Sequence, residues 1–172
     1  MLRTLGALFV VAGTSGFGYL IACGLNDRAA ILRCLAVALQ HLESDIMFAA
    51  LPLQAALRKA SQAIGGEVGS FLNSTADKVG KNDGEPLSKA WTQALKDHAA
   101  ELMLRGTEIE ALAQLGAVLG GSDREDQCKH LAMARATLAQ YQAEAEIKAG
   151  KTRRVWQYLG FALGALTVIF LY

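Results

Sequence analysis

Three histidines and three cysteines are the side chains best suited to metal or nucleophilic chemistry, and their placement supports neither. His41, His98 and His130 fall in three different segments, and none joins another His or a Cys at ligand spacing. A metal site is therefore not expected. Cys23, Cys34 and Cys128 contain no C-x-x-C pair and are odd in number, which suits reduced thiols or packing in lipid rather than a disulfide scaffold. His41 and Asp45, four apart, can share a helix face and read as a solvated pair. Glu43 and Asp45, two apart, point to different faces and cannot divide acid and base roles between them. No serine stands in a nucleophile-elbow context. Gly120-Gly121-Ser122-Asp123 resembles a helix stop and restart, and it lacks the lysine and spacing of a phosphate loop. No catalytic residue, cofactor or metal is expected, and the chain reads as a non-enzyme unless folding assembles a cluster that spacing conceals.

The densest polar run is Ser122-Asp123-Arg124-Glu125-Asp126-Gln127, followed by Lys129 and His130. Ser122 with Glu125 three residues later forms a capping box, and acids in a first turn suit the positive end of the helix dipole. Arg124 and Gln127, three apart on one face, can also present a docking surface to a partner subunit. Both readings hold together.

The elements that carry these residues are set by the distribution of charge. The chain has 172 residues, 52% hydrophobic and 19% charged, with a net charge of +1. Of its 33 charged residues only Arg3 lies outside Asp27 to Arg154. Thr4 to Leu25 and Val155 to Tyr172 are uncharged runs of 22 and 18 residues, near the roughly 20 a helix needs to cross a bilayer. The segment between them holds equal numbers of basic and acidic residues, so it has no broad positive field for nucleic acid. The expected organisation is an N-terminal transmembrane helix in 1–25, a soluble domain in 26–154 and a C-terminal transmembrane helix in 155–172.

Lys148, Lys151, Arg153 and Arg154 precede the last apolar run and no charge follows it. The positive-inside rule then puts the middle domain in the cytoplasm and both termini outside. Gly160 with Gly164, and Gly18 with Ala22, are small-x-x-x-small pairs that let helices approach closely in lipid, within one chain or between copies in a homo-oligomer. Trp156, Tyr158 and Tyr172 read as interfacial anchors. An alternative stands beside this topology: Leu20-Ile21-Ala22-Cys23 spells a lipoprotein signal, which would export the domain on a lipidated Cys23.

Thirty Ala and 26 Leu against 15 Val and Ile favour helix over strand. From Asp27, Ile31, Leu35, Leu39, Leu42 and Ile46 mark one helix face. Pro52 interrupts it, and Leu53, Leu57, Ala60 and Ile64 mark a second segment that Gly65-Gly66 stops. Val68, Phe71, Leu72, Thr75 and Val79 mark a third. Pro86 suits the start of a fourth, which carries Leu87, Trp91, Ala94, Leu95, His98 and Leu102 and ends near Gly106. Thr107 with Glu110 predicts a capping box for a fifth, lined by Ile109, Leu112, Leu115 and Leu119. The sixth starts after Ser122, aligns Leu131, Ala134, Leu138, Tyr141 and Ala145, and can run into the membrane, with Gly150 as the expected bend. The fold class is all-α: an antiparallel bundle of short helices with a membrane helix at each end.

A further layer comes from ordered motifs along the whole chain: Leu5-Gly6 with Gly18, Arg28 and Leu32; Ala38-Leu39-Gln40 with Leu42-Glu43 and Ile46; Pro52-Leu53; Leu119-Gly120 with Ser122-Asp123-Arg124-Glu125 and Gln127; Lys129 and Leu131; and Tyr158-Leu159-Gly160 with Gly164. In these the chain resembles the stage III sporulation protein AB family of endospore-forming bacteria. Asp45 departs from the usual Glu, Phe48 from the common Tyr, and Leu51 from the Thr that normally precedes the Pro-Leu pair. The resemblance implies a subunit of the secretion-like channel complex joining mother cell and forespore. It implies a helical domain similar to the cytoplasmic domain of the type II secretion inner-membrane platform protein. The implied place is the cell membrane on the mother-cell side, the outer forespore membrane, as a scaffold near a cytoplasmic ATPase and other membrane subunits. Glu43 joins Ser122, Asp123, Arg124, Glu125 and Gln127 as a candidate for docking these partners.

Overall fold

In a computed structural model the described residues are 27–81, 86–121 and 123–171, without the side chains of 81, 153, 156, 157 and 159–171. They form helices and no strand: α1 (27–47), α2 (Leu53–Ile64), α3 (Gly66–Lys81), α4 (Leu87–His98), α5 (Gly106–Val118) and α6 (Arg124–Leu171). The chain divides into two compact units, Ala30–Gln142 and the two ends Met1–Ala29 with Ala143–Tyr172. The first unit carries the helical core and the candidate docking residues.

The apolar stripe of α1 is close to the one its spacing predicts. Leu35, Leu39, Leu42 and Ile46 are buried, but the stripe starts at Leu32, which is fully covered, whereas Ile31 is half-buried. Spacings of three, four, three and four track the 3.6-residue turn more closely than a start at Ile31 does. Each buried leucine contributes about 1.5–3 kcal/mol.

Pro52 is the residue before α2, and Gly65, at φ 65°, closes it by donating its N–H to the Ser61 carbonyl at 2.9 Å. The stop at Gly65-Gly66 is as the sequence predicts, and α3 begins at once. α2 and α3 lie antiparallel: Gln54 at the start of α2 donates its Nε2–H to the Ala76 carbonyl at 3.1 Å and lies beside Gly80 near the end of α3, whereas Ser61 near the end of α2 lies against Gly69 near the start of α3. A Cβ at Gly69 would sit 2.7 Å from the Ser61 carbonyl oxygen, so this approach needs glycine.

Trp91 of α4 is the centre of the core. Its ring meets Phe71 of α3 edge-on, with centroids 5.0 Å apart at 77°, and its Nε1–H donates to the Leu112 carbonyl of α5 at 2.8 Å. Lys78 and Asp97 also join α3 to α4 at 3.0 Å. Phe71 with Trp91 and Lys78 with Asp97 thus fasten α3 to α4 at two points along their length.

Two helix boundaries differ from expectation. α4 ends at His98 rather than near Gly106, because residues 99–103 form tight turns with Met103 at φ 47°. Leu102 still reaches the core from these turns, which is why its spacing imitates a longer helix. α5 starts at Gly106 after Arg105, and it is Glu108, not Glu110, that reaches back: its Oε2 accepts the Arg105 backbone N–H at 2.7 Å. A guanidinium has no acceptor to return the bond, so this is half a capping box.

α6 runs through Gly150 as helix. Leu131 and Leu138 are buried along it, and Ala134 and Tyr141 are half-buried. The apolar run Thr4 to Leu25, with Gly18, Ala22 and Cys23, lies outside the described residues. Among the described residues no helix is long and apolar enough to cross a membrane.

Candidate functional site

The link between α5 and α6 determines how the polar run is presented. Leu119 is buried and Gly120 turns the chain at φ 85°, where a side chain would be strained. A Cβ there would also lie 3.2 Å from Leu87 Cβ and 3.9 Å from Leu53 Cδ2. The starts of α2 and α4 therefore meet at the turn that follows α5.

The cap of α6 is Asp123. Its Oδ1 accepts the backbone N–H of Asp126 at 2.8 Å, and its carbonyl accepts that of Gln127 at 3.0 Å. This corrects the expected Ser122 and Glu125 capping box by one residue. A carboxylate reaches the orphan donor as well as a hydroxyl does and adds charge at the positive helix end. Ser122 lies outside the described residues.

Glu125 is freed from capping and pairs with Lys129 at 3.1 Å, which also lies 3.5 Å from Asp126. The Glu125 hydrogen bond is the main reason the Lys129 ammonium holds its proton above the usual lysine range. Arg124 is exposed and Gln127 half-buried.

Glu43 is brought to the same region. Cys128 Sγ lies 3.8 Å from the Glu43 carbonyl, tying the second turn of α6 to the end of α1. Burial, and then the charge of Glu43, push the Cys128 thiol up. Arg135 Nη1 lies 3.3 Å from Glu43 Oε2, an ion pair without hydrogen-bond alignment. Five of the six docking candidates thus have described positions, and they gather on two packed elements. Gly160 and Gly164 fall within α6, and their surroundings lie outside the described side chains.

The expected His41 and Asp45 pair does not form. His41 is exposed, whereas Asp45 is buried and its Oδ1 accepts from Lys59 Nζ of α2 at 2.6 Å. His98 instead meets Glu101 at 2.8 Å. Among the described residues no group of three or more His, Cys, Asp or Glu could hold a metal ion. The pairs Asp45 with Lys59 and Glu43 with Arg135 link residues far apart in sequence, and no local spacing signals them.

The geometry describes an exposed, capped helix start held by ion pairs. Comparison with known proteins gives it a family. The family model described as stage III sporulation protein AB matches residues 3–172. The chain is similar to stage III sporulation protein AB of Bacillus subtilis (strain 168), 33% identical over 171 residues, which is 99% of each chain. It is also similar to the solved structure of a stage III sporulation protein AB, with a TM-score of 0.67 and 32% identity, covering 72% of this chain and 97% of that one. The match in sequence over nearly the whole length, with that in helical architecture over 72% of the chain, shows that the chain belongs to the stage III sporulation protein AB family.

Proposed function

We propose that this chain is a non-enzymatic membrane platform subunit of the secretion-like channel between mother cell and forespore. Its two apolar ends, Thr4 to Leu25 and Val155 to Tyr172, serve as transmembrane helices. The cations before the second run place the helical domain in the cytoplasm of the mother cell, at the outer forespore membrane. Close packing at Gly160 with Gly164 and at Gly18 with Ala22 holds the spans to one another or to neighbouring subunits.

The observation that carries the docking part of this reading is the start of α6. Arg124 stands exposed beside an Asp123 cap, on a turn fastened to α1 through Cys128 and Glu43. Such a rigid polar face suits a cytoplasmic ATPase subunit and other membrane subunits of the complex. Replacing Arg124 and Gln127 together with Ala leaves the bundle folded and weakens co-purification with these subunits. Unchanged recovery of every one would remove the claim.

A second topology rests on Leu20-Ile21-Ala22-Cys23, an exported lipoprotein anchored through Cys23 with a structural role in the envelope. Mass spectrometry of the N-terminal peptide separates the two. Intact Met1 through Cys23 supports two spans, and a diacylglyceryl Cys23 supports export. Asn82→Cys and Tyr172→Cys in a Cys-free chain provide the complementary mapping: protection of the first and labelling of the second in intact cells accord with two spans.

A further inference from the structure

Between Ala145 and Tyr158, α6 presents two unlike faces. Ala145 and Ala149 are buried, whereas Ile147, Lys151, Arg154 and Tyr158 are exposed on the opposite side. Steps of four, three and four keep these four side chains on one stripe, about 16 Å long. Lys148 and Val155 border it and are exposed too, and Tyr158 is 75% exposed.

The charge on this stripe has one sign. Glu144 and Glu146 are the last acidic residues of the sequence, and Lys148, Lys151, Arg153 and Arg154 follow them. Across 143–172 four cations thus stand against two carboxylates, and from Ile147 onward against none. Among the described residues Lys148, Lys151 and Arg154 have no ion pair. By contrast Arg58, Lys59, Lys78 and Lys129 each meet a carboxylate.

Depth along the helix selects what these cations meet. The uncharged run opens at Val155 and stays helical to Leu171. Lys151 stands about 6 Å and Arg154 about 1.5 Å before Val155 along the axis. The polar layer on each side of a bilayer's hydrocarbon core is roughly 5–7 Å deep, so both heads fall within it. Lys148, about 10 Å out, is at its edge and within a Debye length of the surface. Val155 and Tyr158 enter the apolar side, and the long stems of Lys151 and Arg154 let their charges reach back to phosphate.

We infer that Lys151, Arg154 and Tyr158, with Lys148 at the edge, form a site for anionic phospholipid, holding phosphodiester headgroups of net negative charge in preference to zwitterionic ones. The inference rests on the two-span reading above, and it adds which lipid gathers at the second span and on which side of the helix, the side opposite Ala145 and Ala149. An acidic protein would satisfy the cations, but to cover Val155 and Tyr158 it would have to displace lipid at the boundary of the apolar run.

The test uses the full chain in vesicles of phosphatidylglycerol and phosphatidylcholine, with a spin-labelled form of each lipid reporting the fraction held against the protein. The unmodified chain holds phosphatidylglycerol several-fold better, and rising salt erodes the preference. Each cation near an anionic surface contributes up to about fivefold, so Lys151→Gln with Arg154→Gln removes most of it. Lys151→Arg with Arg154→Lys keeps it. Ile147→Glu retains every orienting cation, offers Lys151 a carboxylate one turn before it, and also lowers the preference. An unchanged preference in the double Gln variant, with the chain still embedded, overturns the inference and leaves the two spans standing. Release of the unmodified chain from the vesicles by alkaline carbonate removes both. Equal holding of the two lipids by the unmodified chain overturns the inference as well, and a Gln pair that then lowers recovery of other subunits from cells assigns the stripe to a protein.

Discussion

Trp91 Nε1–H donates to the Leu112 carbonyl at 2.8 Å, and Gly116, one turn further along α5, leaves no room beside the same ring for a methyl group. The indole is thus both bonded to α5 and pressed against it. Its polar edge is satisfied inside the core, and its face sets how closely α4 and α5 approach.

Gly116→Ala forces the ring or the helix to move and destabilises the chain by about 1–3 kcal/mol. Trp91→Phe removes the indole donor, while the Leu112 carbonyl keeps its place in α5, and costs about 1 kcal/mol for the bond plus the area lost. Urea unfolding of the full chain reads both as a lower midpoint with an unchanged slope. A G116A midpoint equal to that of the unmodified chain would contradict the packing described.

Asp123→Ala removes the cap of α6 and costs about 1 kcal/mol, whereas Asp123→Ser or Asp123→Asn stays within a few tenths. Ser122→Ala is close to neutral. The reverse order in thermal or urea unfolding would return the cap to Ser122.

Asp97 accepts from Lys78 and from Gln93, and these bonds hold its carboxyl below the usual range. A depressed folded-state pKa gives stability that is present above the unfolded value and lost as the pH falls through the folded one. The side chains are 33% and 43% exposed, so the effect is small and weakens with salt. Lys78→Ala moves the Asp97 carboxyl resonance titration, followed by NMR, upward. An unmoved titration would separate the two side chains.

Cys34 is exposed and Cys128 buried. Iodoacetamide labels Cys34 first, and Cys128 responds only as the pH rises past the ordinary thiol range, because burial and then Glu43 keep its proton in place. The thiol's raised value gives stability held below its unfolded pKa and lost as the pH climbs through the folded one. Glu43→Gln brings the Cys128 response to lower pH. Equal labelling rates for the two thiols, resolved by peptide mass spectrometry, would place Cys128 at the surface.

The helices were legible wherever apolar spacing and a stop residue coincided, as in α1 and at Gly65-Gly66. Spacing misled at Leu102, where a buried leucine sits on turns, since periodicity records burial and not backbone shape. The caps were legible to within a residue or two. Asp123 and Ser122 both suit the position, and only the fold chooses between them. At α5 Arg105, a residue with no capping oxygen, precedes the helix, and Glu108 provides the bond. The docking candidates were legible as a polar run, yet their link to Glu43 was not, because Cys128 and Arg135 reach it across the fold. Phe48, 85% exposed just after α1, was not legible as a surface residue, since an apolar side chain in sequence carries no sign of its exposure.

The left-handed turn at Ala50, with Pro52 two residues on, has one more implication. A side chain held at positive φ stores a little strain in the folded state, while it also narrows the conformations open to the unfolded chain. Ala50→Gly would relieve the first and enlarge the second, so the two effects oppose and the corner keeps its shape at nearly unchanged stability.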